Sequence, residues 1–324
     1  MHAQDQNAKC VDSAQDEGGN SHGWSSASAS ADFRHQFSTR STADHVIAGI
    51  DLSAKTFVVT DCNSDNGFQT MRALDANGAE VIGLASSITS ARAACAQVGP
   101  VCIPVACDLS DLGSVAAVAE YIRNSHTPLD GIIANAEISH LPALQTRYGV
   151  EMQFLGNYLG HFALVNSLCD ILRDGSGRIV ILGSGARSEQ SPPGGITFAN
   201  LDGYHFYDSS VFYEQSKFAL ALFGKELARR LRARGVAVNS VHPARVNGYL
   251  SRAPGLIQRV ANLFRGVEQR IAATQTLLAA SPLVARISGE SWRDCRMVAA
   301  HPLLDDQPLA EQLWRTSDHM LRVC

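Results

Sequence analysis

The chain has 324 residues, 45% of them hydrophobic and 18% charged, with a formal net charge of −4. That supplies apolar material for a sizeable core, and no basic run or arginine-rich helix points to a nucleic-acid partner. Length alone fits one large α/β unit or two small ones.

Met1 to Cys10 is polar and lacks the apolar stretch of a secretory signal. No run approaches the ~18 apolar residues that a membrane-spanning helix needs. Residues 1–36 are rich in Ser, Ala, Asp, Gly and Asn and show neither helical nor strand periodicity. Such a segment cannot offset its ordering entropy by burial, so it is expected to be a disordered tail. The eight cysteines form no Cys-x-x-Cys pair, and the eleven histidines form no HExxH. Reduced, mostly buried thiols, no metal and a soluble cytoplasmic protein are the expectation.

From residue 56 the pattern changes. Thr56–Thr60 reads as a buried strand, followed by a polar turn, Asp61 to Gly67, and a helix from Gln69 to Gly78. Strands are then expected at Val81–Ala85, Val101–Cys107, Leu129–Ala134, Arg178–Leu182 and Val236–Val241. Helices are expected at Ala91–Val98, Leu112–Arg123, 148–173 and Phe212–Arg234. The strands are nearly continuous apolar runs and alternate with helices. This pattern predicts an α/β fold, a doubly wound, Rossmann-like parallel sheet in a single domain over 37–324.

In such a sheet ligands bind beyond the carboxyl ends of the strands. The residues there are Thr60 to Gly67, Ser86 and Ser87, Asp108, Asn135, Ser184 and the segment after His242. Tyr213 and Lys217 stand four apart on the last long helix, which puts them on one face. A neighbouring ammonium favours a phenolate, so the pair suits proton exchange with an alcohol or carbonyl. The chain has only the lysines Lys9, Lys55, Lys217 and Lys225, which makes coincidence a weaker account. Ser184 could hydrogen-bond a substrate oxygen, or simply serve its turn. Asn157, a poor helix former inside an expected helix, has either a surface position or a functional role.

These residues resemble the short-chain dehydrogenase/reductases, and most closely their retinol-dehydrogenase-like branch. Further matches are Ala134-Asn135-Ala136, Asn157 to Phe162, Tyr213 to Lys217, Val238 to Pro243, Ala272 to Gln275 and Trp292 to Cys295. The resemblance implies hydride transfer between NAD or NADP and a small alcohol or carbonyl. Tyr213 is then the general acid/base, Lys217 its partner and ribose ligand, Ser184 the orienter of the substrate oxygen, and Asn157 the holder of a relay water. Cofactor contacts are implied at Thr60, Asn63, Ser64, Gly67, Ser86, Asp108, Leu109, Asn135, Ala136, Pro243 and Val246, besides Tyr213 and Lys217. Asn135 would also support the central strands. A homo-oligomer is implied, paired through the Tyr213 helix and the helix of Asn157; on the former, Leu220, Phe223, Leu227 and Leu231 form an apolar stripe.

The departures cluster around the cofactor. Where the family has Thr-Gly-x-x-x-Gly-x-Gly, this chain reads Thr60 to Gly67 with Asp61 and Asp65 at two of the glycines. Each adds a Cβ and a charge near a pyrophosphate. Glu137 replaces another glycine, and Ala244 and Gly248 replace a glycine and a threonine. Ser86 and Ser87 supply neither the acid that favours NAD nor the arginine that favours NADP. Tyr249, Leu250, Leu256, Ile257 and Val260 suit a hydrophobic substrate or a helix covering the core. Two alternatives follow: a binding or regulatory protein that has lost tight dinucleotide binding, or a non-redox enzyme using the Tyr-Lys pair for proton transfer.

Overall fold

A computed structural model describes residues 36–139, 141–184, 191–242 and 272–323. The expected tail, Pro243, Val246 and the expected substrate lining lie outside these described residues. The first described elements are α1 (Ala43–Val46), β1 (Thr56–Thr60), α2 (Asp65–Ala76), β2 (Glu80–Ala85), α3 (Ile88–Val98), β3 (Ile103–Ala106), α4 (Leu112–Ser125) and β4 (Gly131–Ala134). A small hairpin follows, β5 (Thr146–Arg147) and β6 (Val150–Glu151), then a π-helix over Phe154–Leu159 that runs into α5 (Gly160–Leu168). The chain continues with β7 (Arg178–Ile181), α6 (Ser209–Arg230), β8 (Ala237–Val241), α7 (Ala273–Ala280), β9 (Ser291–Arg293), β10 (Arg296–Val298) and α8 (Gln307–Val323).

Eight strands form one sheet in the order β10-β9-β8-β7-β4-β1-β2-β3. All neighbours are parallel except the β9–β10 hairpin. Val58, Ile132, Ile179 and Val238 stand opposite one another across β1, β4, β7 and β8. All four are buried. With helices on both faces, an apolar row of this kind has no solvent side to serve, which is why the strands lack polar alternation. The strand order reverses between β1 and β4, and that reversal opens a crevice at their carboxyl ends.

The helices begin where short polar side chains can satisfy free amides. Ser64 caps α2, Ser87 caps α3, Asp111 caps α4 and Asp208 caps α6. The Ser64 cap explains why α2 starts before the expected Gln69. Residues 148–173 do not form one helix. The β5–β6 hairpin opens the segment, and the buried Glu151 carboxylate accepts from the Phe154 amide at 2.8 Å, at the start of the π-helix.

Five described cysteines, Cys62, Cys95, Cys102, Cys107 and Cys295, are free and buried. Cys169 is disulfide-bonded and so departs from the expectation of reduced thiols. Among the described residues no group of acids, histidines and cysteines is arranged to hold a metal. No described helix is long and apolar enough to cross a membrane.

The apolar stripe Leu220, Phe223, Leu227 and Leu231 is buried within this one chain. Part of its cover is α8. Trp314 packs at 5.1 Å from the Phe162 ring and 5.7 Å from the Phe223 ring, with the Arg230 guanidinium 3.9 Å over its face. The Tyr158 and Ser317 hydroxyls meet at 2.6 Å, and Lys225 pairs with Asp305 just before α8. The chain's own α8 thus covers part of the two helices that the resemblance assigns to subunit pairing. Trp314→Ala removes an aromatic plug that is only partly buried. It is expected to cost about 2–4 kcal/mol, read as a lowered urea midpoint.

Candidate active site

The crevice is built around Thr60, the last residue of β1. Its hydroxyl oxygen accepts from the amides of Asn135 (2.8 Å) and Ala136 (2.9 Å). Its proton can then go to His161 Nε2, 3.0 Å away. His161 Nδ1 faces the Asn157 carbonyl at 2.7 Å and must be the donor there. Burial drives the His161 pKa down to about 4; the Asn157 carbonyl opposes the shift and the Lys217 ammonium adds to it. A neutral imidazole thus bolts β1, β4 and the π-helix together. The expectations assigned His161 no role, because its partner Thr60 lies 101 residues away.

Asn135 holds the β1–α2 loop to the end of β1. Its carboxamide nitrogen donates to the Thr60 carbonyl at 3.0 Å and to Ser64 Oγ at 3.1 Å. Ser64 in turn donates to the Asp61 carbonyl (2.7 Å) and accepts from the Gly67 amide (3.2 Å). A Cβ on Gly67 would lie 2.2 Å from the Asp61 carbonyl oxygen, so only glycine fits there. Asp61 occupies a position where the resembling family has glycine, and it pays in conformation: its φ is +51°. Burial pushes its carboxyl up to about 6; the Ser64 hydrogen bond opposes this, and Glu137 and Asp65 add to it. Asn63 and Asp65 are exposed.

The crevice is lined by Thr60, Asp61, Ser86, Asp108, Ala136 and Glu137, among others including Leu109. Ser86 is exposed after β2. Asp108 Oδ1 accepts from the Ser110 amide and hydroxyl, at 2.9 and 2.7 Å. Asp61, Asp108 and Glu137 give the lining three acids, and no basic residue stands among the described lining residues.

At the deep end, α6 delivers Tyr213 and Lys217. Gly183 at the end of β7 permits this approach, since a Cβ there would come within 2.9 Å of the Ala221 nitrogen. The Ser184 amide donates to the Lys217 carbonyl at 3.1 Å, which fixes Ser184 beside the same helix. Lys217 is wholly buried. Its Nζ lies 3.1 Å from Glu137 Oε2, and the Tyr213 hydroxyl donates to that same oxygen at 3.1 Å. Asn157 also reaches this region, but its carboxamide is engaged with protein groups. Nδ2 donates to the Ile138 carbonyl and to Ser216 Oγ, each at 2.9 Å, and Oδ1 accepts from the Ile138 amide. The water expected there meets a carboxamide that is already partnered.

Thr60, Ser86, Asp108, Leu109 and Ala136 thus line the crevice, and Ser64, Gly67 and Asn135 hold its loop, while Tyr213 and Lys217 reach it through Glu137, with Ser184 bonded to the Lys217 carbonyl. Its layout offers places for the parts of a nicotinamide dinucleotide. The α2 amino terminus, cleared by Gly67, can face a pyrophosphate, and a buried ammonium stands beside a phenol at the far end. In charge its acids oppose the phosphates.

Comparison with known proteins agrees with this architecture. The family described as short chain dehydrogenase matches residues 55–253. Retinol dehydrogenase 14 of Mus musculus is 36% identical over 224 residues, which is 67% of this chain and 66% of that protein. A Streptomyces lividans protein named "Probable oxidoreductase" is 37% identical over 301 residues, 82% of this chain and 97% of that one. Among solved structures, an uncharacterized protein from Mycobacterium Paratuberculosis superposes with a TM-score of 0.67 at 28% identity. The match covers 84% of this chain and 95% of that chain.

Proposed function

The chain belongs to the short-chain dehydrogenase/reductase family, and on that premise we propose that it interconverts a hydrophobic alcohol and its carbonyl with Tyr213 as general acid/base. The observation that carries the reading is Lys217. An ammonium withdrawn wholly from solvent is costly, and this one is held one helical turn from a phenol at the carboxyl end of the sheet. The dinucleotide, when bound, supplies or accepts the hydride. Tyr213 passes the proton to or from the substrate oxygen, and Ser184 donates a hydrogen bond to that oxygen. Lys217 stabilises the phenolate and holds the nicotinamide ribose. Asn157 fixes the Ile138 segment and Ser216 around them.

Thr60, Asn63, Ser64, Gly67, Ser86, Asp108, Leu109, Asn135, Ala136, Pro243 and Val246 are the proposed dinucleotide contacts. A retinoid-sized substrate is suggested by the relative named a retinol dehydrogenase. We place the protein in the cytoplasm, a reading that its five free buried thiols support and the Cys169 disulfide opposes. If copies pair, we propose that they do so through a surface other than the one α8 covers. The test is oxidation of NADH and NADPH, followed by nicotinamide absorbance, with all-trans-retinal and a series of straight-chain aldehydes and ketones. Turnover with at least one carbonyl is expected. Silence across the panel, with both cofactors shown to bind, would overturn the oxidoreductase reading in favour of a binding protein.

A further inference from the structure

Glu137 stands where the resembling family has glycine, and its carboxylate has taken the two groups that the reaction needs. One oxygen, Oε2, lies 3.1 Å from Lys217 Nζ and accepts from the Tyr213 hydroxyl, also at 3.1 Å. The Glu137 side chain is one-third exposed, whereas Lys217 is sealed. A ribose hydroxyl and this carboxylate cannot both hold the same ammonium in the same place. We propose that Glu137 is an internal competitor of the dinucleotide, a residue that sets cofactor affinity by holding Tyr213 and Lys217 until a bound cofactor displaces it.

This rests on the oxidoreductase reading above and adds a consequence to it. When displaced, the Glu137 carboxylate loses its ammonium partner and stays in a crevice whose other acids are Asp61 and Asp108. It also faces the phosphates of the incoming ligand. Both changes favour its protonated form, so binding takes up a proton and weakens as pH rises. Among the described residues, the titratable groups that share this crevice with Glu137 come from several elements, and Arg147 lies 3.9 Å from one of them, Asp108. Asp61 comes from the β1–α2 loop and Asp108 from the end of β3, while α6 contributes Tyr213 and Lys217. The π-helix contributes the uncharged Asn157, bonded to the adjacent Ile138, with neutral His161 on its carbonyl. Asp61 also titrates within the working range, because burial lifts its carboxyl to about 6.

The experiment is calorimetric titration of NADH and NADPH into the full chain, from about pH 5 to about pH 8, in buffers of different ionisation heat. Wild type, Glu137→Gln, Glu137→Gly, Asp61→Asn and the combined Glu137→Gln/Asp61→Asn variant are compared. Wild-type affinity is expected to fall roughly tenfold or more across that range, with net proton uptake. Glu137→Gln and Glu137→Gly should tighten binding at the upper end by about tenfold or more and remove most of the slope. The slope that remains should disappear only when Asp61→Asn is added. Unchanged affinity and slope in both Glu137 variants would overturn the proposal.

A second readout needs no cofactor. In ultraviolet titration of the free protein, the ionisation step lost in Tyr213→Phe should move to lower pH in Glu137→Gln, since the phenolate no longer faces a carboxylate. No movement of that step would also overturn it. If no variant binds either dinucleotide while the step does move, the Glu137 contact stands and the oxidoreductase reading falls.

Discussion

Tyr213→Phe is expected to lower turnover of any carbonyl substrate by about 10²–10⁴-fold, with the fold intact. The substitution deletes one oxygen. That oxygen donates to Glu137, a side chain with solvent access, so no buried acceptor is stranded. The thermal midpoint should therefore stay close to wild type, and dinucleotide affinity should hold or rise. Removing Lys217 instead leaves a cavity in a fully buried position, so Lys217→Ala should lose both activity and some stability. The contrast between the two variants separates chemistry from packing. Turnover in Tyr213→Phe within a fewfold of wild type would remove Tyr213 from the reaction.

The second large effect belongs to Asp61. Asp61→Gly is expected to tighten NADH and NADPH binding by roughly ten- to hundredfold, the equivalent of about 1–3 kcal/mol. It removes a carboxylate lining the crevice and a side chain held at φ +51°. Asp65→Gly should contribute little, because Asp65 is exposed on the first turn of α2 and points its charge into water. If both single variants bind like wild type, the altered loop is merely tolerated.

Asp61 also makes stability depend on pH, with a definite sign. Its carboxyl ionises at about 6 in the folded chain, against 3.8 for the free side chain. The folded state therefore holds the proton more tightly, and stability falls as pH climbs from about 4 to about 6. Above that window the penalty is constant, on the order of 2–3 kcal/mol. Asp61→Asn keeps the side-chain shape and tolerates the left-handed backbone, but cannot ionise. It should be more stable than wild type by that amount near neutral pH, and the advantage should vanish near about pH 4, as read from urea midpoints.

Much of this architecture could be read from residue order because the strands carry a plain signal. β1, β2, β4 and β7 are mostly apolar runs, β8 is interrupted by Asn239 and Ser240, and each was expected within a residue or two of where it lies. The β9–β10 hairpin escaped because three-residue strands such as Ser-Trp-Arg have no period to detect. The α8 helix owes its place to Phe162, Phe223 and Arg230, which are remote in the chain. At the site, Asp61, Asp65 and Glu137 were visible as departures from a motif. What Glu137 touches was not, since Tyr213 lies 76 residues further on. Likewise, Asn157 stood out as an odd residue in a helix, while its bonds to Ile138 and Ser216 needed three dimensions.

The π-helix over Phe154–Leu159 has a consequence for how the chain tolerates changes in length. A π turn holds one residue more than an α turn. Removing any one of these six residues would let the segment relax into a continuous α-helix with α5, and local hydrogen bonding would improve. The residues before the deletion would then be turned about 100° relative to α5. When Tyr158 or Leu159 is the residue removed, Asn157 is among them: it would leave Ile138 and Ser216, and its carbonyl would leave His161. The surplus residue thus acts as a phase setting between the β6 hairpin and the His161 bolt: shortening the segment could yield a better helix and a dismantled crevice.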